Sequence, residues 1–177
     1  SARWEDRKPL KLAKTAAEQL KATDGPRIAV FDLDGFDTHS AQGGSDGEHG
    51  EKLSQYDNIV RVLRENLGEA FNDTLIVTLT EFGRKVEENG GYGTEHGYGT
   101  SILLAGGLLK QSQVYADWPG LKSKDLFEGQ DLNATIDARA VYCSAMAACF
   151  DVDFNYMRKK AFWNEPLPDL TEKLFQI

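Results

Sequence analysis

VFDLDGFDTHS, residues Val30 to Ser40, closes an apolar run that opens at Arg27 and carries two rival sets of reactive side chains. The run RIAVFDL is short, partly β-branched and bounded by turn residues, the pattern expected of a buried strand. At its carboxyl end stand Asp32 and Asp34, and just beyond them Asp37 and His39. The second pair is two residues apart. In extended backbone such side chains leave on the same side, about 7 Å apart at Cα, close enough to share one metal ion. Neutral imidazole with carboxylate oxygen suits zinc, iron or manganese better than magnesium, which prefers oxygen alone.

Upstream, Leu10, Ala13, Ala16, Ala17 and Leu20 fall at helical spacing until TDGP breaks the pattern. Downstream, SAQGGSDGEHG is a glycine-rich loop. From Glu51 the positions Leu53, Tyr56, Val60, Leu63, Leu67 and Phe71 then line one helical face. DTLIVTLT reads as a second buried strand, SILLAGGLL as a third, and NATIDARAVYCSAMAACF as a further long helix. The tail from Asp153, with Trp163, two prolines and Phe175, reads as packed but irregular. This order is that of an α/β sheet with helices on its faces, whose ligands sit at the carboxyl ends of the strands.

Three more side chains gather at those ends. Glu81 ends the second strand, Arg84 follows three residues later, and His96 lies in EFGRKVEENGGYGTEHGYGT. That loop has glycines at 83, 90, 91, 93, 97 and 99, and loops of such length in a compact domain are usually functional or disordered. Glu81 and His96 would complete a site of three or four ligands with Asp37 and His39. The planar donor fork of Arg84 suits an anionic group, or equally a salt bridge to Glu81 or Glu87. His49 falls instead at the start of a surface helix.

Composition narrows the field. The 177 residues, 41% hydrophobic, suffice for a single domain over 1–177. The formal charge of -8 argues against a nucleic-acid partner. The longest apolar run, ILLAGGLL, is too short for a membrane span. Ser1 in place of Met suggests a trimmed N-terminus. Cys143 and Cys149 lie six apart on one helix and point to different faces, so they read as small buried apolar residues rather than a pair.

Two resemblances compete for VFDLDGFDTHS. FDLDG resembles the haloacid dehalogenase-type phosphatases, implying magnesium dependence with Asp32 as nucleophile and Asp34 as general acid and base. That family's later Gly-Asp magnesium motif is missing here, and Phe36 replaces its usual Thr or Val. GFDTHSAQ, TLTEFGRKVEENGGYGTEHGYGTSILLAGG, VYADWPGL and DLNATIDARAV together resemble the C-terminal part of the bacterial domain of unknown function 1501 family, from Ile28 to Val152.

That family is similar to the alkaline phosphatase and sulfatase superfamily, and the likeness implies a three-layer α/β/α sandwich of which this chain is a C-terminal portion. It implies a metal-dependent hydrolase of phosphate or sulfate esters, exported to the periplasm or secreted, with a small anionic ester as substrate. Asp37, His39 and His96 match metal ligands, and Glu81 takes an aspartate position as ligand or general base. Phe82 stands where a second-site histidine is expected, so one zinc or manganese ion is anticipated. The nucleophile of that superfamily lies upstream of anything here, which makes an N-terminal segment of the same protein an expected partner. The alternative reading is a non-catalytic exported binding or assembly module that keeps the fold.

Overall fold

The structure, a computed structural model, describes residues 7–176. Ser1 and the reading attached to it lie outside those residues. The elements are helices with short strands, a mixed α/β chain, arranged as two compact units. One comprises the chain up to Phe71 together with Glu87–Glu95; the other comprises Asn72–Val86 and everything from His96 onward.

The first unit is built on helices α1 (Arg7–Lys21) and α2 (Glu48–Leu67), which pack against each other. Ala13 and Ala17, one turn apart, are fully buried on α1, and their small side chains permit close approach. On α2 the buried row is Gln55, Ile59, Leu63 and Leu67. This is a strict i, i+4 ridge, rotated from the face expected by periodicity, and it leaves Leu53 exposed. Glu48 and Glu51 stand in the first turn of α2, where carboxylates complement the helix dipole. Gly68 ends the helix at φ 59°, with its N–H on Arg64 O, a conformation that costs glycine least.

The run RIAVFDL departs from expectation: it forms no strand, and Ile28 and Val30 are 65% and 85% exposed. A buried strand needs hydrogen-bonded neighbours on its flanks. The pairing found among the described residues of this unit lies further along, where Ser40 and Tyr92 form an antiparallel bridge. Ala41 N donates to Gly91 O, Gln42 N to Tyr92 O and Thr94 N to Thr38 O. This short ladder joins the segment after Asp37 to the glycine loop.

The second unit has two short antiparallel ladders. β1 (Ile76–Val77) pairs with β4 (Leu104–Ala105), and β2 (Gly83–Arg84) pairs with β3 (His96–Gly97). The expected second and third strands are thus present as two-residue cores. Their neighbour is α3 (Ala138–Phe150), which begins later than periodicity suggests because Asp137 caps it: the carboxylate accepts from Arg139 N at 2.9 Å. The tail is more regular than expected, with α4 (Phe154–Ala161), capped by Asp153, and α5 (Thr171–Leu174).

The core of this unit lies between α3 and the tail. Ala140, Val141, Cys143, Ala145 and Ala147 meet Phe154, Leu167, Leu170, Leu174 and Phe175, with Val77, Ile102 and Leu104 of the strand segments against them. Buried Ser144 accepts a hydrogen bond from Leu170 N through Oγ at 2.9 Å, satisfying a backbone donor that would otherwise be orphaned. Trp163 stands 87% exposed and contributes nothing to the packing expected of it.

Candidate metal centre

The site begins with a tight turn. Thr38 N donates to Phe36 O at 3.1 Å, a three-residue turn centred on Asp37 that swings its carboxylate toward His39. Asp37 Oδ1 then lies 3.1 Å from His39 Nε2. Behind the turn, buried Thr38 donates its hydroxyl to Gln42 Oε1 at 2.8 Å, and Thr94 donates to the same oxygen at 2.8 Å. One amide thus fastens the Asp37–His39 turn to the glycine loop.

The other ring nitrogen is also engaged. His39 Nδ1 lies 3.1 Å from Glu95 Oε2. A neutral imidazole has one N–H and one lone pair, whereas carboxylate oxygens only accept. One ring proton serves one of these contacts at a time, and a cation shared by Nε2 and Asp37 suits the other.

Asp37 and His39 are spaced to ligate a single ion. Two ligand atoms bonded at about 2.1 Å to tetrahedral zinc stand roughly 3.4 Å apart, within a few tenths of an ångström of the observed separation. Both side chains are open to solvent, 62% and 42% exposed, so an ion has an entry path.

The glycines of the loop make this approach possible. A Cβ on Gly93 would stand 2.2 Å from the His39 carbonyl carbon and 2.5 Å from Ser40 N. No side chain fits between these backbones, so only glycine lets the loop close on His39.

In the second unit, His96 sits on β3 opposite Arg84 of β2. Its ring stacks on Phe82, centroids 3.9 Å apart and planes 27° from parallel. Phe82 therefore fills the position anticipated for a second histidine ligand with an apolar ring that buttresses His96. Glu81, exposed, belongs to no group of three or more metal-capable side chains among the described residues, and Arg84 is half-buried on β2. Asp32 and Asp34 are exposed in the segment that forms no strand. His49 lies on α2 with its ring edge-on to Phe36, centroids 5.9 Å apart.

Glu95 was not legible as a site residue, because its partner is 56 residues away in sequence. The signal available was its place directly before His96. A single peptide unit, about 3.8 Å from Cα to Cα, separates the carboxylate residue that engages His39 from that histidine.

No curated protein and no solved structure matches the chain. A family model described as protein of unknown function (DUF1501) matches residues 6–149, most of its length, and bears out the family read from the GFDTHSAQ and TEHGYGT motifs. The chain belongs to the DUF1501 family.

Proposed function

We propose that this protein is a metal-dependent hydrolase of phosphate or sulfate esters. The observation that carries the reading is the Asp37–His39 pair, held at ligand spacing by a loop whose next residue is His96. Asp37 and His39, with His96 as the family motif implies, would hold one divalent transition-metal ion, with zinc or manganese best suited to two imidazoles and a carboxylate. When bound, such an ion polarises an ester oxygen and lowers the pKa of a coordinated water.

The chain's own residues supply the rest. Arg84, opposite His96 on the β2–β3 ladder, is the candidate holder of the anionic ester group through its donor fork. Glu81 is the candidate general base, open to solvent at the start of the same segment. A three-layer alkaline phosphatase-like sandwich, and export to the periplasm or beyond, belong to this proposal as the setting of the site. No helix among the described residues is long and apolar enough to cross a membrane.

Elemental analysis of purified protein, wild type beside a His39→Ala, His96→Ala double variant, tests the metal. p-Nitrophenyl phosphate and sulfate test the chemistry. About one equivalent of metal in the wild type and none in the variant, with hydrolysis that follows metal content, is the expected outcome. Metal-free wild type after reloading overturns it.

One observation favours a second reading. Phe82 stacked on His96 gives that histidine a packing role, as suits a non-catalytic module that keeps the fold. Metal-free protein whose stability does not change on adding zinc or manganese would select this reading.

A further inference from the structure

The glycine loop delivers a carboxylate to the face of His39 turned away from Asp37. While Nε2 faces Asp37, Nδ1 lies 3.1 Å from Glu95 Oε2. Glu95 is itself held in place. Asn89 Nδ2 donates to Glu95 Oε1 at 2.6 Å and to His39 O at 2.9 Å. Asn89 Oδ1 accepts from Gly91 N and Gly93 N at 2.9 and 3.0 Å. One amide side chain therefore ties together the loop backbone, the His39 backbone and the Glu95 carboxylate.

We infer that Glu95 is a positioning residue of the metal centre: it accepts the Nδ1–H of His39, so that Nε2 presents its lone pair to the ion, and Asn89 anchors it there. The inference rests on the metal reading above. The reason is the single proton of neutral imidazole. On Nδ1, shared with Glu95, that proton leaves Nε2 free to ligate. Without Glu95 the Asp37 carboxylate still faces Nε2, and a proton drawn to that nitrogen occupies the ligating atom. A carboxylate on the far nitrogen also fixes the orientation of the ring toward the ion.

The test uses the whole chain with 15N-labelled histidine, in wild type and in Glu95→Ala, Glu95→Gln and Asn89→Ala. Two quantities are read: zinc affinity by competition with a chromophoric chelator, and the His39 tautomer by long-range proton–nitrogen correlation. Zinc binding is expected to weaken about 10- to 100-fold in Glu95→Ala and less in Glu95→Gln, whose amide oxygen still accepts. In the metal-free Glu95→Ala variant the ring proton moves toward Nε2. Wild-type affinity, or weakened affinity with an unmoved tautomer, overturns the role of Glu95 while leaving the metal site standing. A wild type that takes up no zinc overturns the metal reading instead. The metal-free ring signals then decide the role of Glu95 alone, and identical signals in wild type and Glu95→Ala reject it. Should Glu95→Ala fail to fold, Glu95→Gln and Asn89→Ala carry the same two readouts.

Discussion

Gly93 lies so close to His39 that a Cβ on it would stand 2.4 Å from the His39 carbonyl oxygen. The contact is backbone against backbone, so no rotamer change relieves it. Gly93→Ala must therefore push the loop off the Asp37–His39 turn and loosen the hydrogen bond from Gly93 N to Asn89 Oδ1. The expected result is a loss of about 1–3 kcal/mol in urea denaturation, the usual cost of overpacking, together with weakened zinc binding. Gly90 is the internal control. A Cβ there meets nothing within 4 Å, so Gly90→Ala should leave both measurements unchanged. Equal behaviour of the two variants would dismiss the close approach as a determinant of the site.

What the sequence made legible and what it did not follow from the range of the interactions concerned. α1 and α2 are long, periodic and broken by TDGP and Gly68, so their register is local information. The run from Arg27 is equally apolar, yet burial of a strand depends on neighbours that the run itself does not encode, and Val30 faces solvent. α4 and α5 span barely two turns and one turn, too short for periodicity to register, although the Asp153 cap was a readable start signal. The same division holds at the site. Asp37, His39 and His96 announce themselves by residue type. Glu95 and Asn89 gain their roles only when the glycine loop folds back on residues 38–42, a tertiary event.

Asp137 caps α3 and chelates its own helix, accepting from Arg139 N at 2.9 Å and from Arg139 Nη2 at 2.8 Å. Its pKa is lowered, first by the Arg139 side-chain hydrogen bond and against the opposing effect of burial. A carboxylate with a depressed folded-state pKa contributes stability that is fully present above the unfolded value. That contribution is lost as pH falls through the folded one. Asp137→Ala should cost about 1 kcal/mol at neutral pH, as loss of a cap does. The difference from wild type should shrink in acid, as pH falls below the ordinary aspartate range and through the lowered folded value, where the wild-type side chain loses its charge. With the Asp137 side chain 37% exposed, solvent screening keeps the ion-pair share of that cost small. A penalty independent of pH would mean that the charge plays no part.

The two thiols should differ in access and agree in inertness. Burial raises the pKa of both, and at Cys143 the nearby Asp169 carboxylate adds to the effect. Since the thiolate is the nucleophile, both should react slowly with Ellman's reagent at neutral pH. Cys143 is fully buried and Cys149 only partly, so Cys149 should be labelled first, and Cys143 only at urea concentrations that unfold the second unit. Cys149→Ser should abolish the early phase. An early phase that survives this substitution would place Cys143 within reach of solvent.

Phe175 is the residue on which the second unit closes. It is 1% exposed in the core formed with α3, and its N–H donates to Thr171 O at 2.9 Å. It also forms an antiparallel bridge with Leu109, and the adjacent bonds Lys110 N to Leu174 O and Gln176 N to Leu108 O extend that pairing. The backbone here fastens the last segment to the chain after β4, while the ring fills the core beside it. Phe175→Ala should cost about 3–5 kcal/mol, the range for a buried phenylalanine, which is a large part of a domain's stability. Phe175→Leu, which keeps most of the apolar volume, should cost well under half of that. Hydrogen exchange provides the finer measurement. In Phe175→Ala the amides of Lys110 and Gln176 should lose protection together with α5, while those of α2, in the other unit, keep theirs. Uniform loss across both units would show that the two unfold as one.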